Sequence, residues 1–177
     1  MKETDFDLDV RNLVPYIENI DLDYVFQRCR DINKDQLRLV KNGRILEYKL
    51  QDLNLTWITN HKVTIVLDAI DTEDTVLCKL RALLENLLER TVHLNLYFTP
   101  PNCQGFSVHS DQHDVLIVQL SGEKYWCIYP KDIESGSFDQ SFPFRLKKYE
   151  FLRISKSVIH GAFTKAEHSL HLTIGIH

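Results

Sequence analysis

The chain has 177 residues, 44% of them hydrophobic, which is enough for a real core and too apolar for general disorder. Lys and Arg number 21 against 25 Asp and Glu, a formal charge of -4, so the phosphate-neutralising surplus of a non-specific nucleic-acid binder is missing. No run of roughly 18 or more apolar residues offers a membrane span. The acidic N-terminus carries no signal core, and the sequence reads as cytoplasmic.

In chain order, Asp21-Leu22-Asp23 opens a short helix with acids in its first turn. Leu37–Val40 and Ile45–Tyr48 flank Lys41-Asn42-Gly43-Arg44, and Asn-Gly predicts a hairpin because both residues tolerate positive φ. Val63–Leu67 reads as a buried strand. Asp71-Thr72-Glu73-Asp74 then opens a helix whose apolar stripe is Val76, Leu80, Leu83, Leu84, Leu87 and Leu88. From about residue 92 the period becomes two, predicting strands at 92–98, 105–111, 114–120, 123–129, 145–154 and 168–176. Pro100-Pro101-Asn102, Ser121-Gly122 and Ser135-Gly136-Ser137 supply turns between them. Helices precede strands and do not alternate with them, which predicts a mainly β sandwich or barrel with flanking helices. The expectation is one domain over 1–177, with a mixed helix and strand region at 1–90 packed on a β core at 91–177. Residues 1–90 hold 13 basic and 17 acidic residues, and residues 91–177 hold 8 of each. Arg145, Lys147 and Lys148 form a small basic cluster that reads as a solvated strand or turn. Cys29, Cys78, Cys103 and Cys127 are scattered, with no C-x-x-C pair, and read as reduced structural thiols.

The segment Gly105-Phe106-Ser107-Val108-His109-Ser110-Asp111 carries the chemistry. On a strand, His109 and Asp111 project from one face, giving two-thirds of a 2-His-1-carboxylate set for iron(II). H-x-D alone is a weak signal. A third ligand has to come from His160, His168, His171 or His177. His160 follows an apolar stretch and a turn, with Gly161 allowing close approach, while His168 sits in a turn that reads as solvated surface. His171, Thr173, Gly175 and His177 share one face of the last strand; His171 reads either as a site residue or as a hydrogen-bonded core histidine. Lys124 shares a face with Trp126 and Ile128. If that face is interior, its ammonium needs an anion such as a dicarboxylate; otherwise Lys124 is a solvent-facing edge lysine.

The run Asn95-Leu96-Tyr97-Phe98-Thr99-Pro100-Pro101, then Gln104-Gly105-Phe106 and His109-Ser110-Asp111, resembles the ribosomal-oxygenase branch of the JmjC proteins. Gly122-Glu123-Lys124-Tyr125-Trp126, Ile154–His160 and Ser169-Leu170-His171-Leu172-Thr173 extend the resemblance over nearly half the chain. The resemblance implies a double-stranded β-helix, the jelly roll of cupins. It implies that His109, Asp111 and His160 bind Fe(II), and that Lys124 pairs with the distal carboxylate of 2-oxoglutarate. It places Asn95 and Tyr97 beside the cosubstrate, with His171 and Thr173 as further candidates on the last strand. The implied reaction couples O2 and the oxidative decarboxylation of 2-oxoglutarate to hydroxylation of a substrate C–H.

Two departures stand out. Ser155 occupies a position where the family usually has proline. The chain stops at His177, where ribosomal oxygenases continue into a helical dimerisation region and a winged-helix-like domain; it is either a piece of a longer protein or a minimal member. The family's dimer and ribosomal substrate are therefore not carried over, and the sequence leaves oligomeric state and substrate identity open. The leading expectation is hydroxylation of an amino-acid side chain in a protein or peptide. The alternatives are an RNA nucleoside or small-metabolite hydroxylase, and a metal-holding cupin that binds without oxidation. Substrate choice is expected in loops such as 131–144 and in the N-terminal region.

Overall fold

The computed structural model describes residues 9–48, 53–72, 74–129 and 143–177. The helices are α1 (Val14–Ile17), α2 (Leu22–Asp31), α3 (Leu55–His61) and α4 (Thr75–Leu88). Asp21, Asn54 and Asp74 cap α2, α3 and α4 by accepting backbone N–H groups of the first turn. The strands are β1 (Leu37–Lys41), β2 (Arg44–Leu46), β3 (Thr64–Leu67), β4 (Val92–Thr99), β5 (Asp114–Tyr129), β6 (Phe144–Lys147), β7 (Phe151–Ile154), β8 (Ile159–Phe163) and β9 (Ser169–Ile176).

The strands are antiparallel in the order β2-β1-β3-β4-β9-β5-β6, with β7 and β8 also pairing β5. The Asn42-Gly43 turn joins β1 to β2 with φ of 48° and 79°, as its composition predicts. One face of β4 and β9 buries Leu94, Leu96, Phe98, Leu170, Leu172 and Ile174 against α2 and α4 in the main apolar core. The opposite face carries Asn95, Tyr97, His171 and Thr173 toward a cavity. The period of two therefore sorts these strands into a dry face and a polar face.

β5 makes the sheet a roll. Its first half pairs with β9 and β7, and its second half with β6 and β8. A bulge between Gln119 and Ser121 separates the halves. The extra residue switches which alternate side chains face inward: Val115 and Ile117 before it, Lys124 and Trp126 after it. Ser121-Gly122 is thus not a hairpin turn, contrary to its composition; it lies within one 16-residue strand. Gly122 adopts φ 63°, and a Cβ there would stand 1.9 Å from the His168 carbonyl oxygen.

Other expectations are corrected as well. The 105–111 stretch is not a strand; its one ladder contact is the bridge between His109 and His160. The predicted 145–154 strand is two, β6 and β7, folded at a turn where Tyr149 has φ 63°. His160 lies on a strand, β8, that its sequence did not signal. The α4 stripe is shifted in phase: Leu77, Leu80, Leu84 and Leu88 are buried, while Val76 and Leu87 are 47% and 55% exposed. The Ser135-Gly136-Ser137 turn and nearly all of the 131–144 loop lie outside the described residues. No helix among the described residues is long and apolar enough to cross a membrane.

Candidate metal centre

His109 and His160 are tied back to back by two main-chain hydrogen bonds. His109 N–H donates to the His160 carbonyl at 3.0 Å, and His160 N–H donates to the His109 carbonyl at 2.8 Å. This bridge, and not strand alternation, brings two residues 51 positions apart to one spot. Asp111 is fixed next to them because its carbonyl accepts the Ser157 N–H at 2.8 Å. Ser157 adopts φ 64° to make that turn, a conformation that costs a non-glycine residue about 1–2 kcal/mol. Gly161 follows His160, where a Cβ would come within 3.0 Å of Val108 Cγ2.

Each imidazole is oriented by its other nitrogen. His109 Nδ1 lies 2.8 Å from the Ser107 carbonyl and His160 Nδ1 lies 3.1 Å from the Val158 carbonyl. A carbonyl only accepts, so each Nδ1 carries the proton and each Nε2 presents a lone pair. Those Nε2 atoms are 3.9 Å and 3.5 Å from the two Asp111 carboxylate oxygens. Burial holds His160 below its ordinary value, which favours the neutral, ligating form. The three donor atoms lie within 4.8 Å of one another. Two neutral nitrogens and one carboxylate on one side of an ion suit a divalent transition metal with open positions.

The centre opens into a cavity of about 340 Å³. Lys124, buried at 5% exposure, stands in its wall. Its Nζ donates to Thr99 Oγ1 at 3.0 Å and stands 5.9 Å from the centre of the Trp126 ring. Among the described residues no carboxylate comes within ion-pair reach of it, and burial holds the ammonium down to about 7. Trp126 lines the same cavity, and its buried indole N–H has no acceptor among the described residues. An ammonium and an indole N–H without acidic partners fit an anionic ligand in this space. Donor set and cavity together thus fit iron(II) with a dicarboxylate cosubstrate.

The other sequence candidates also line the cavity. Asn95 Oδ1 accepts the Ala69 N–H at 2.9 Å. The Tyr97 ring stacks on His171 at 4.9 Å, and burial pushes its hydroxyl up to about 12. Burial, then the Lys124 charge, hold His171 well below its ordinary value, so it stands neutral beside the lysine. Thr173 sits between Asn95 and Ile117 in register. His168 is not in the cavity wall; its Nε2 lies 3.0 Å from Ser121 Oγ. Sequence reasoning missed Thr99, the hydroxyl that receives Lys124, although it alternates with Tyr97. It also missed Arg38, which binds Asp68 with Nη2 to Oδ1 at 2.6 Å and lies 5.2 Å from the centre of the Phe106 ring. Arg38 alternates with buried Leu37 and Leu39, so strand period was its signal.

Residues 69–177, more than half of the chain, match the family model of the JmjC domain. The bifunctional lysine-specific demethylase and histidyl-hydroxylase NO66 of Drosophila melanogaster is 33% identical over 121 residues, covering 58% of this chain and 18% of that protein. The NO66 of Dictyostelium discoideum is 35% identical over 111 residues, covering 54% of this chain and 22% of that protein. The chain thus spans roughly a fifth of the length of these relatives. Among solved structures, the Escherichia coli ribosomal oxygenase YcfD in complex with cobalt and succinic acid matches with TM-score 0.69 at 19% identity, covering 89% of this chain and 44% of that chain. YcfD with cobalt and 2-oxoglutarate matches with TM-score 0.65 at 17% identity and the same coverage. At such identity the likeness shows the fold, a jelly roll.

Proposed function

This chain belongs to the JmjC domain family, and from that membership and the centre's geometry we propose that it is an Fe(II)- and 2-oxoglutarate-dependent oxygenase hydroxylating a side chain of a protein or peptide. One observation carries the proposal: His109 Nε2, His160 Nε2 and the Asp111 carboxylate converge in the same cavity as a buried lysine that has no acidic partner among the described residues. Bound there, the metal would supply O2 activation coupled to decarboxylation of 2-oxoglutarate to succinate. The chain's own residues do the rest. His109, Asp111 and His160 would hold the ion. Lys124 and Thr99 anchor the far carboxylate of the cosubstrate. Asn95, Tyr97, His171 and Thr173 form the wall along its length, and the stacked Tyr97 and His171 rings exclude water.

The names of the two NO66 relatives support histidine as the hydroxylated side chain. The zero net charge of residues 91–177 favours a protein over an RNA substrate. A cytoplasmic location belongs to the same proposal and is supported by four free thiols.

The test has two arms. Anaerobic addition of iron(II) and 2-oxoglutarate gives a weak visible charge-transfer band in the wild type and none in Asp111→Ala. Mass spectrometry of cell proteins then finds a 16-dalton gain on a protein side chain that disappears when the gene is deleted. A folded wild-type protein with no band would overturn the oxygenase reading; a band with the gain found only on RNA would overturn the protein substrate.

A further inference from the structure

A second group of donors lies outside the centre already described. His93 stands on β4, His113 directly precedes β5, and His177 directly follows β9. One ring nitrogen from each lies within 4.8 Å of the other two. Strand register makes the cluster. β9 runs between β4 and β5, His93 sits opposite Gly175, and Asp114 sits opposite Ile176. The next position out on β5 and β9 is therefore His113 beside His177, on the face that carries Gly175. The rings pack at 4.6 to 5.1 Å between centres. His93 Nδ1 and His177 Nε2 are 2.9 Å apart, so a single proton is shared between two lone pairs. Gly175 keeps the space: a Cβ there would lie 2.1 Å from His93 Cε1.

We propose that His93, His113 and His177 bind a second metal ion, a zinc-class divalent cation, on the rim of the same cavity. Imidazole nitrogen is a ligand that zinc, copper and nickel take readily. At a zinc–nitrogen distance of about 2.0–2.1 Å, tetrahedral ligand nitrogens stand about 3.3 Å apart. Replacing the shared proton by the ion needs the His93–His177 pair to open by only a few tenths of an ångström. Three imidazoles leave one tetrahedral position for water or for a donor atom of a bound substrate. His93 and His113 line the cavity, so the ion would sit at its edge. This site uses none of the iron ligands and does not depend on the oxygenase reading.

The experiment is zinc binding by the full chain, measured by calorimetry with zinc chloride and by metal analysis after desalting. Wild type takes up two equivalents. Asp111→Ala loses one and keeps the other. His177→Ala removes an exposed ligand without touching the core, and Gly175→Ala pushes His93 aside; each loses the second equivalent by more than about a hundredfold in affinity, beyond the loss of an outer-shell partner. In the Asp111→Ala protein, cobalt(II) at the remaining site has the intense visible absorption of tetrahedral coordination, and His177→Ala abolishes it. Thermal melting establishes that each variant is folded. Two equivalents persisting in folded His177→Ala, or a single wild-type equivalent that Asp111→Ala abolishes, would overturn the proposal.

Discussion

At Lys124 the ammonium is buried, and among the described residues it meets the Thr99 hydroxyl and the Trp126 ring but no carboxylate. Burial holds its pKa down to about 7, against about 10.4 in an unfolded chain. Between these values the unfolded state binds the extra proton, so stability rises with pH. The penalty for the buried charge is complete below pH 7 and relieved as pH climbs toward 10. Urea unfolding from pH 7 to 10 therefore shows a stability rise in the wild type that is flattened in Lys124→Met. Saturating 2-oxoglutarate flattens it too, by supplying the anion. Equal pH slopes in wild type and Lys124→Met would place the lysine in solvent. Lys124→Ala raises the 2-oxoglutarate KM by about 10–100-fold, the worth of a hydrogen bond to a charged group. At the candidate metal centre, Asp111→Asn keeps the side-chain shape and removes the charge; iron(II) affinity is expected to fall by at least about a hundredfold in an anaerobic titration, more than the loss of an outer-shell partner.

At the scale of elements, β5 decides which residues meet. Its bulge brings Lys124 and Trp126 round to the side already occupied by Val115 and Ile117. Gly122 permits the path, with φ 63° and the His168 carbonyl oxygen where a Cβ would stand. Gly122→Ala combines a left-handed conformation with a backbone clash and costs about 2–4 kcal/mol. A melting temperature lowered by roughly 10 °C would be its signature in a thermal scan; an unchanged one would show that β5 tolerates another path. The alternation of 92–98 and 168–176 was legible in the sequence because each strand has one dry face. So were the Asn42-Gly43 hairpin and the helix opened by Asp74. The bulge was not, since Ser121-Gly122 reads as a turn and the partner strand β9 is what reveals the extra residue. The 105–111 stretch misled in the opposite way. Its alternation suggested that strand geometry aims His109 and Asp111, whereas the bridge to His160 and the Ser157 turn do so. The His93, His113 and His177 cluster was hidden for the same reason: His177 stood out only as a candidate third ligand of the other centre, His93 and His113 gave no signal in their own segments, and register gathers the three.

At the scale of the whole molecule, two apolar bodies among the described residues divide the work. The larger packs α2 and α4 against the dry face of β4 and β9; the smaller, around Val115, Ile117, Trp126, Leu146 and Ile154, fills the roll beside the cavity. Leu84 is fully buried in the first body and makes no part of the cavity wall. Leu84→Ala costs about 2–5 kcal/mol of stability, and 2-oxoglutarate affinity in the still-folded variant stays as in the wild type when both are measured by titration. The polar cavity face is held up from behind by a core that takes no part in binding. The most direct test of the account is a crystal structure grown without oxygen in the presence of manganese(II) and 2-oxoglutarate. The expected result is the ion bonded to His109 Nε2, His160 Nε2 and an Asp111 carboxylate oxygen, with the far carboxylate of 2-oxoglutarate on Lys124 Nζ. An ion bound away from these three residues, or a cosubstrate that leaves Lys124 without an anion, would contradict it.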